Sequence, residues 1–345
     1  MIFEFTRLMQ GNCLIIAELS ANHNQDIERA EQSIRAVAET GADAVKLQTY
    51  TADTLTIPCE NEYFRIKGTL WEGRTLHDLY QEAYTPWEWH PRLMGLANEL
   101  GLVCFSTPFD ATAVDFLESL KVPCHKVASF EVVDIPLLKK IASTKKPVIM
   151  STGMASLEEI AEGVRTLREH GTTELALLKC TSSYPAPAEE ANLRTIPHMV
   201  EAFNCPVGLS DHTLGSAVAV TAVALGARIV EKHFTLSRAD GGPDSAFSME
   251  PAEFKQMVRD IRTAESAIGK VNYSLTEKER QSIVFRRSLF VVNDMKAGEP
   301  FTERNVRCIR PGHGLHSRHF PEILGRRVRQ DIAKGTPLTW DVISY

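Results

Sequence analysis

Apolar, β-rich runs of five to eight residues recur eight times in the first 270 positions, and stretches with helical spacing lie between them. The runs are CLIIAEL (13–19), ADAVKLQT (42–49), LVCFST (102–107), PCHKVAS (123–129), PVIMST (147–152), ELALLKC (174–180), PVGLS (206–210) and RIVEKH (228–233). Among the helices, Ile27, Ala30, Ile34, Val37 and Ala38 line one face of the first, which Gly41 closes. Another opens with Ser156 as N-cap and Glu159 completing a capping box, turns Leu157, Ile160, Val164 and Leu167 inward, and ends at Gly171. Eight β-then-α units predict an α/β fold, a (β/α)8 TIM barrel over residues 1–270. The alternative is an open doubly wound sheet, but no GxGxxG follows the first strand. The stretch 50–85, with FRIKGTLWEGRTLHDLY, exceeds an ordinary βα loop and predicts a lid or specificity loop at the catalytic face.

The polar residues cluster at one end of the predicted strands. Glu18 ends the first, Lys46 and Gln48 the second, and Ser106 and Thr107 the third. Lys126, Ser129 and Glu131 follow from the fourth, and Ser151 and Thr152 from the fifth. KCTSSY ends the sixth, Ser210, Asp211 and His212 the seventh, and Lys232 and His233 the eighth. Barrels gather these ends around one mouth, and so many polar groups are costly to desolvate without ligands. Two neutral imidazoles on adjacent strands, His212 and His233, can share a divalent ion and leave positions open for water and substrate. In the bland reading they bond to carboxylates such as Asp211 or Glu231 and bind nothing. Thr107, Ser129, Ser151 and Ser210, with Lys126 as counter-charge, suit a phosphate, and Lys46 suits a carboxylate. A Schiff-base aldolase using Lys126 or Lys232 is the rival chemistry, and it leaves the histidine pair unexplained.

Composition narrows the classes without choosing among them. The chain has 345 residues, 43% hydrophobic and 24% charged, with a net charge of −6 and no basic run that would favour nucleic acid. No apolar run reaches membrane-spanning length, and MIFEFTRLMQGN lacks the pattern of a secretory leader. Seven scattered cysteines without a CxxC pair read as reduced residues of a cytoplasmic protein.

The segments IIAELSANH, AVKLQTY, FSTPFD, HKVASFE, IMSTGM, LKCTSSYPAP, GLSDHT and VEKHF resemble, in order and spacing, the sialic acid synthase family. Within it, ELSANH, GTLWEGRTLHDLY and PDSAFS look most like the branch that makes pseudaminic acid. The resemblance implies a transferase that condenses phosphoenolpyruvate with an N-acetylated aldose and water to a nine-carbon 2-keto acid and phosphate. The aldose of this branch is a 2,4-diacetamido-2,4,6-trideoxy hexose of altrose configuration. It implies His212 and His233 as ligands of a divalent metal (manganese, or else magnesium or cobalt). Lys126, Thr107, Ser129, Ser151 and Ser210 would cradle phosphate, Lys46 the carboxylate, and Glu18, Gln48, Tyr184 and Asp244 would face the sugar. Glu18 or a metal-bound water would be the base, with Glu131 as a second candidate. Ser182 stands where N-acetylneuraminate synthases carry Asn, and Ser20-Ala21 where they carry Gly-Ile; both departures weigh against N-acetylmannosamine as substrate.

After a polar connector (271–285), residues 286–345 change to short strands and turns. DMKAGEPFT (294–302) and DIAKGTPLT (331–339) repeat each other. This tail holds 11 Lys and Arg against 6 Asp and Glu, so it is basic while the rest is acidic. It resembles an antifreeze-like (SAF) domain. Alone it could be an independent carbohydrate- or ice-binding module. The family likeness implies instead a homodimer in which it caps the partner's site and Arg310 reaches the sugar.

Overall fold

The computed structural model describes residues 11–344; positions 1–10, read above for a leader, lie outside them. The eight runs become parallel strands β1 (Leu14–Glu18), β2 (Ala44–Thr49), β3 (Val103–Pro108), β4 (His125–Val127), β5 (Val148–Ser151), β6 (Leu175–Cys180), β7 (Val207–Asp211) and β8 (Ile229–His233). They close in sequence order, with β1 also pairing β8, which rules out the open sheet. Register aligns Glu18 with both Lys46 and His233, and Ser210 with both Cys180 and Glu231. Two apolar clusters pack the strands' outer faces against the helices.

Side chains on a strand alternate between faces, so the barrel axis receives every second residue in layers. The apolar layer contains Ile16, Ala44, Phe105, Cys124, Ile149, Leu178 and Ile229. Two residues further along each strand the layer is polar: Glu18, Lys46, Thr107, Lys126, Ser151, Cys180, Ser210 and Glu231, all buried. Gly208 is the apolar layer's contribution from β7. A Cβ there would lie 2.6 Å from the Ile229 Cβ and 2.8 Å from Leu178 Cδ2, so β7 and β8 fit only without a side chain.

The 50–85 segment is structured. It holds the helix Ala52–Leu55, a 3-10 turn at Glu62–Phe64, and the helix Leu76–Ala83, whose first turn is capped by Thr75.

Residues 270–344 form a second compact unit with its own core of Leu289, Val291, Met295, Phe301, Val306, Ile323 and Leu338, among others. The connector contains a helix, Glu277–Ser282, started by a Thr276/Glu279 capping box. β9 (Ser288–Val291) pairs antiparallel with β10 (Val306–Ile309), and β11 (Arg327–Val328) with β12 (Ile343–Ser344). The two repeats pack around a local pseudo-twofold. Met295 and Ile332 exchange backbone bonds of 2.9 and 3.0 Å. Asp294 accepts from the Lys334 amide and Asp331 from the Ala297 amide, both at 2.8 Å. All seven cysteines are unpaired, and among the described residues no helix is long and apolar enough to cross a membrane.

Gly208→Ala overpacks a layer that cannot yield. It is expected to cost about 1–3 kcal/mol, read as a lower urea midpoint at unchanged slope.

Candidate active site

Above the polar layer a cavity of about 500 Å³ opens, within the range of small-molecule sites. Its floor is a balanced set of charges. Lys46 Nζ ion-pairs with Glu18, lies 3.6 Å from Glu231 Oε1, and donates to Thr107 Oγ1 at 3.2 Å. Lys126 Nζ donates to Ser151 Oγ at 2.6 Å and to the Val127 carbonyl at 2.9 Å, with Glu231 Oε1 at 4.0 Å. Burial works against every one of these charges. It lowers the pKa of Lys126, and it raises that of Glu18 despite Lys46. Burial also opposes the charge on Lys46, but Glu18 and Glu231 outweigh it and raise its pKa. Glu231 is held ionised against burial by Lys126 and Lys46. Two cations and two anions thus stabilise one another in a buried site, and Glu231 Oε2 still lacks a hydrogen-bond partner.

At the rim the His212 and His233 rings stand 5.3 Å apart between centroids. His212 Nδ1 meets the Thr181 carbonyl at 2.9 Å; a carbonyl only accepts, so Nδ1 carries a proton and Nε2 is the nitrogen left for a ligand. Burial opposes charge on His212, but Cys180 and the Thr181 carbonyl outweigh it and raise its pKa. Burial, then the charges of His212, Lys46 and Lys232, push the His233 pKa well below its ordinary value, and its buried Nδ1 has no partner. Two adjacent imidazoles, one with an orphaned nitrogen, fit a divalent ion held by two protein donors, which would take both rings in the neutral form. Among the described residues no cluster of three or more His, Cys, Asp or Glu could hold a metal.

A second polar network faces the rest of the cavity. Ser20 sits in the left-handed region (φ 45°), where a non-glycine residue is strained. Its hydroxyl donates to Asp244 and accepts from Gln48 Nε2 at 3.1 Å, tying β1, β2 and the segment after β8 together. Burial raises the Asp244 pKa, and the Ser20 bond works against that. Tyr184 packs 4.3 Å from His212 and 5.1 Å from Phe247, and Trp71 Nε1 donates to the Pro243 carbonyl at 2.9 Å.

A model described as the NeuB family matches residues 33–273, and one described as the SAF domain matches 286–343. The chain belongs to the NeuB family. It is 45% identical to a pseudaminic acid synthase of Helicobacter pylori, over 95% of this chain and 97% of that one. A pseudaminic acid synthase of Campylobacter jejuni is 46% identical over 94% of each. Among solved structures, an N-acetylneuraminic acid (sialic acid) synthetase from Leptospira borgpetersenii, in complex with citrate, superposes with TM-score 0.70. It is 30% identical, covering 79% of this chain and 90% of that chain. The synthase relatives make this NeuB-family chain an enzyme with a closed barrel and a C-terminal SAF domain.

Of the residues expected at the site of this NeuB-family barrel, Glu18, Lys46, Gln48, Lys126, Ser129, Glu131, Ser151, Tyr184, Ser210, His212, His233 and Asp244 line the one cavity. Lys232 does not. It has the opposite strand parity and is locked outside by Asp211 Oδ2 at 2.7 Å and the Thr213 carbonyl at 2.6 Å. It is therefore no Schiff-base candidate, and Asp211 is no histidine partner. Thr107 is fully buried against Lys46 rather than at the cavity wall, and Ser182 is turned toward Gly153 and Cys180. Arg310 is exposed on the C-terminal unit just beyond β10. One charged cavity residue escaped the strand-end reading: Glu231. Strand alternation back from His233 would have found it. Cys180, inside the KCTSSY end of the sixth strand, also lines the cavity, with its Sγ 3.8 Å from His212 Nδ1.

Burial pushes Glu131 up to about 7, with Lys126 opposing, and leaves its Oε2 without a partner. The folded state therefore holds a proton that the unfolded chain releases between its ordinary pKa of 4.5 and about 7. Stability falls as pH rises through that window. Glu131→Gln is expected to be up to about 2 kcal/mol more stable than the parent at pH 8 and equal to it at pH 5, by urea unfolding.

Proposed function

We propose that the chain condenses phosphoenolpyruvate with open-chain 2,4-diacetamido-2,4,6-trideoxy-L-altrose and water, giving pseudaminic acid and phosphate. One observation carries this reading: two buried lysines, the Ser151 and Ser210 hydroxyls and two adjacent imidazoles converge on a single cavity. The printed names of the Helicobacter and Campylobacter relatives support the product.

In this proposal Lys126, Ser129, Ser151 and Ser210 bind the phosphate and Lys46 the carboxylate, while Thr107 orients Lys46. A divalent ion (manganese, with magnesium or cobalt as substitutes) held by His212 and His233 would supply Lewis-acid polarisation of the aldehyde oxygen. A carbon–carbon bond forms between C3 of phosphoenolpyruvate and the aldehyde carbon, whose oxygen takes a proton and becomes a hydroxyl. Water adds at the cationic C2, and Glu18, whose pKa burial raises, accepts its proton. The bond from C2 to the phosphate oxygen then breaks, its electrons leave with phosphate, the C2 hydroxyl passes its proton to that leaving group, and the ketone remains. Lys126 and the hydroxyls offset the charge on the leaving group. Gln48, Tyr184 and Asp244 orient the sugar, and Ser182 acts on the Gly153 turn rather than on substrate.

A Schiff base on Lys126 is the second reading, favoured by the lowered pKa of that buried amine. Phosphate release from phosphoenolpyruvate tests both readings, with the diacetamido altrose, its legionaminic-type isomer and N-acetylmannosamine as acceptors. Turnover is expected with the first sugar, abolished by chelation and restored by divalent ion. Activity surviving exhaustive chelation, or borohydride trapping of a lysine adduct, would favour the second reading.

The C-terminal unit enters the proposal as a cap supplied by a second copy, its basic charge suiting an anion-binding site, with Arg310 reaching the sugar. Mixing inactive Arg310→Ala and Lys126→Ala chains is expected to restore partial turnover. A fully active monomer by light scattering would refute the cap.

A further inference from the structure

The cavity is two-sided. Its floor is the charged layer already described, and the 50–85 segment supplies another part of the lining. Leu76, Leu79, Tyr80 and Ala83 all line it, at the i, i+3, i+4 and i+7 positions of the helix Leu76–Ala83. An amphipathic helix ordinarily lays such a stripe on the protein's own core. Here the stripe belongs to none of the barrel's contiguous apolar clusters, although Leu79 is only 7% and Ala83 only 8% exposed. Leu55 and Ile66 extend the same wall, and Tyr80 packs edge-on against Tyr50 at 5.9 Å. Since the protein already covers Leu79 and Ala83, the stripe offers a ligand an apolar lining rather than fresh area to bury.

We infer that this wall is a specificity subsite for the deoxygenated end of the sugar. The inference rests on the proposed function. Phosphoenolpyruvate held by Lys46 and Lys126 at the floor requires the reacting aldehyde carbon to sit beside it. The opposite end of the open chain, carrying the C6 methyl group, then faces the helix stripe. A methyl group needs no partner there, whereas a 6-hydroxyl against Leu76, Leu79 and Ala83 would lose its water, with Tyr80 as the one hydrogen-bonding side chain of the stripe. The wall therefore selects 6-deoxy over 6-hydroxy aldoses. A purely apolar pocket rejects an added hydroxyl by about 10–100-fold in kcat/KM, and that sets the expected size.

The test compares kcat/KM for phosphate release with the 6-deoxy diacetamido aldose and with its 6-hydroxy counterpart. The parent enzyme is expected to prefer the deoxy sugar by about 10–100-fold. Leu79→Asn, and the milder Ala83→Ser should the first fold poorly, are expected to bring the ratio within about threefold, through the sugar KM. Leu79→Met should keep the parental ratio, and the KM for phosphoenolpyruvate should be unchanged in all three. Folded variants that keep the parental preference, or that lose turnover with both sugars alike, overturn the subsite and leave the functional reading intact. A parent enzyme that prefers the 6-hydroxy sugar overturns both.

Discussion

In a closed eight-stranded barrel, each strand commits alternate side chains to a shared axis, and register decides which of them meet. Here the constraint stacks an apolar plug beneath a buried, charge-compensated layer. Neither Lys46 nor Lys126 could remain a cation in that layer alone, and neither Glu18 nor Glu231 could remain an anion. Their mutual compensation lets the barrel hold four ionisable groups out of water, ready for a ligand with several oxygens. The layer itself carries the Ser151 and Ser210 hydroxyls, and the imidazole pair and the Ser20–Asp244–Gln48 network share the cavity above it.

Because parity is all-or-none, one residue's difference in position changes a side chain's role completely. His233 and Glu231 point to the cavity, while Lys232 between them points out to Asp211. That outer pair also has a task. By bonding both Asp211 and the Thr213 carbonyl, Lys232 joins the ends of β7 and β8 directly behind the two histidines.

The closed barrel was legible because eight apolar runs with regular helical intervals have few other ways to bury themselves. Most of the site was legible because polar residues gather where those runs stop. What escaped was parity: reading strand ends as a set admitted Lys232 and passed over Glu231 as a member of the site. Thr107 is another matter: it belongs to the same inward layer as Lys46 but is fully buried against that amine instead of reaching the cavity. The inner face of the 50–85 segment was also hidden. Its helix is only eight residues long, and sequence cannot tell a stripe meant for a core from one meant for a ligand. Ser20 is a different case, since its left-handed backbone is invisible in sequence and its bond to Asp244 spans 224 positions.

The reciprocal carboxylate caps of the C-terminal unit carry a consequence for how such a module can be inherited. The amide-rich turn of each repeat is terminated by the aspartate of the other, so neither half is a finished object by itself. Two such halves satisfy each other's turn, and one half alone leaves its turn uncapped. Any later splice that exchanged one half would have to bring an aspartate in register for the turn it abandoned.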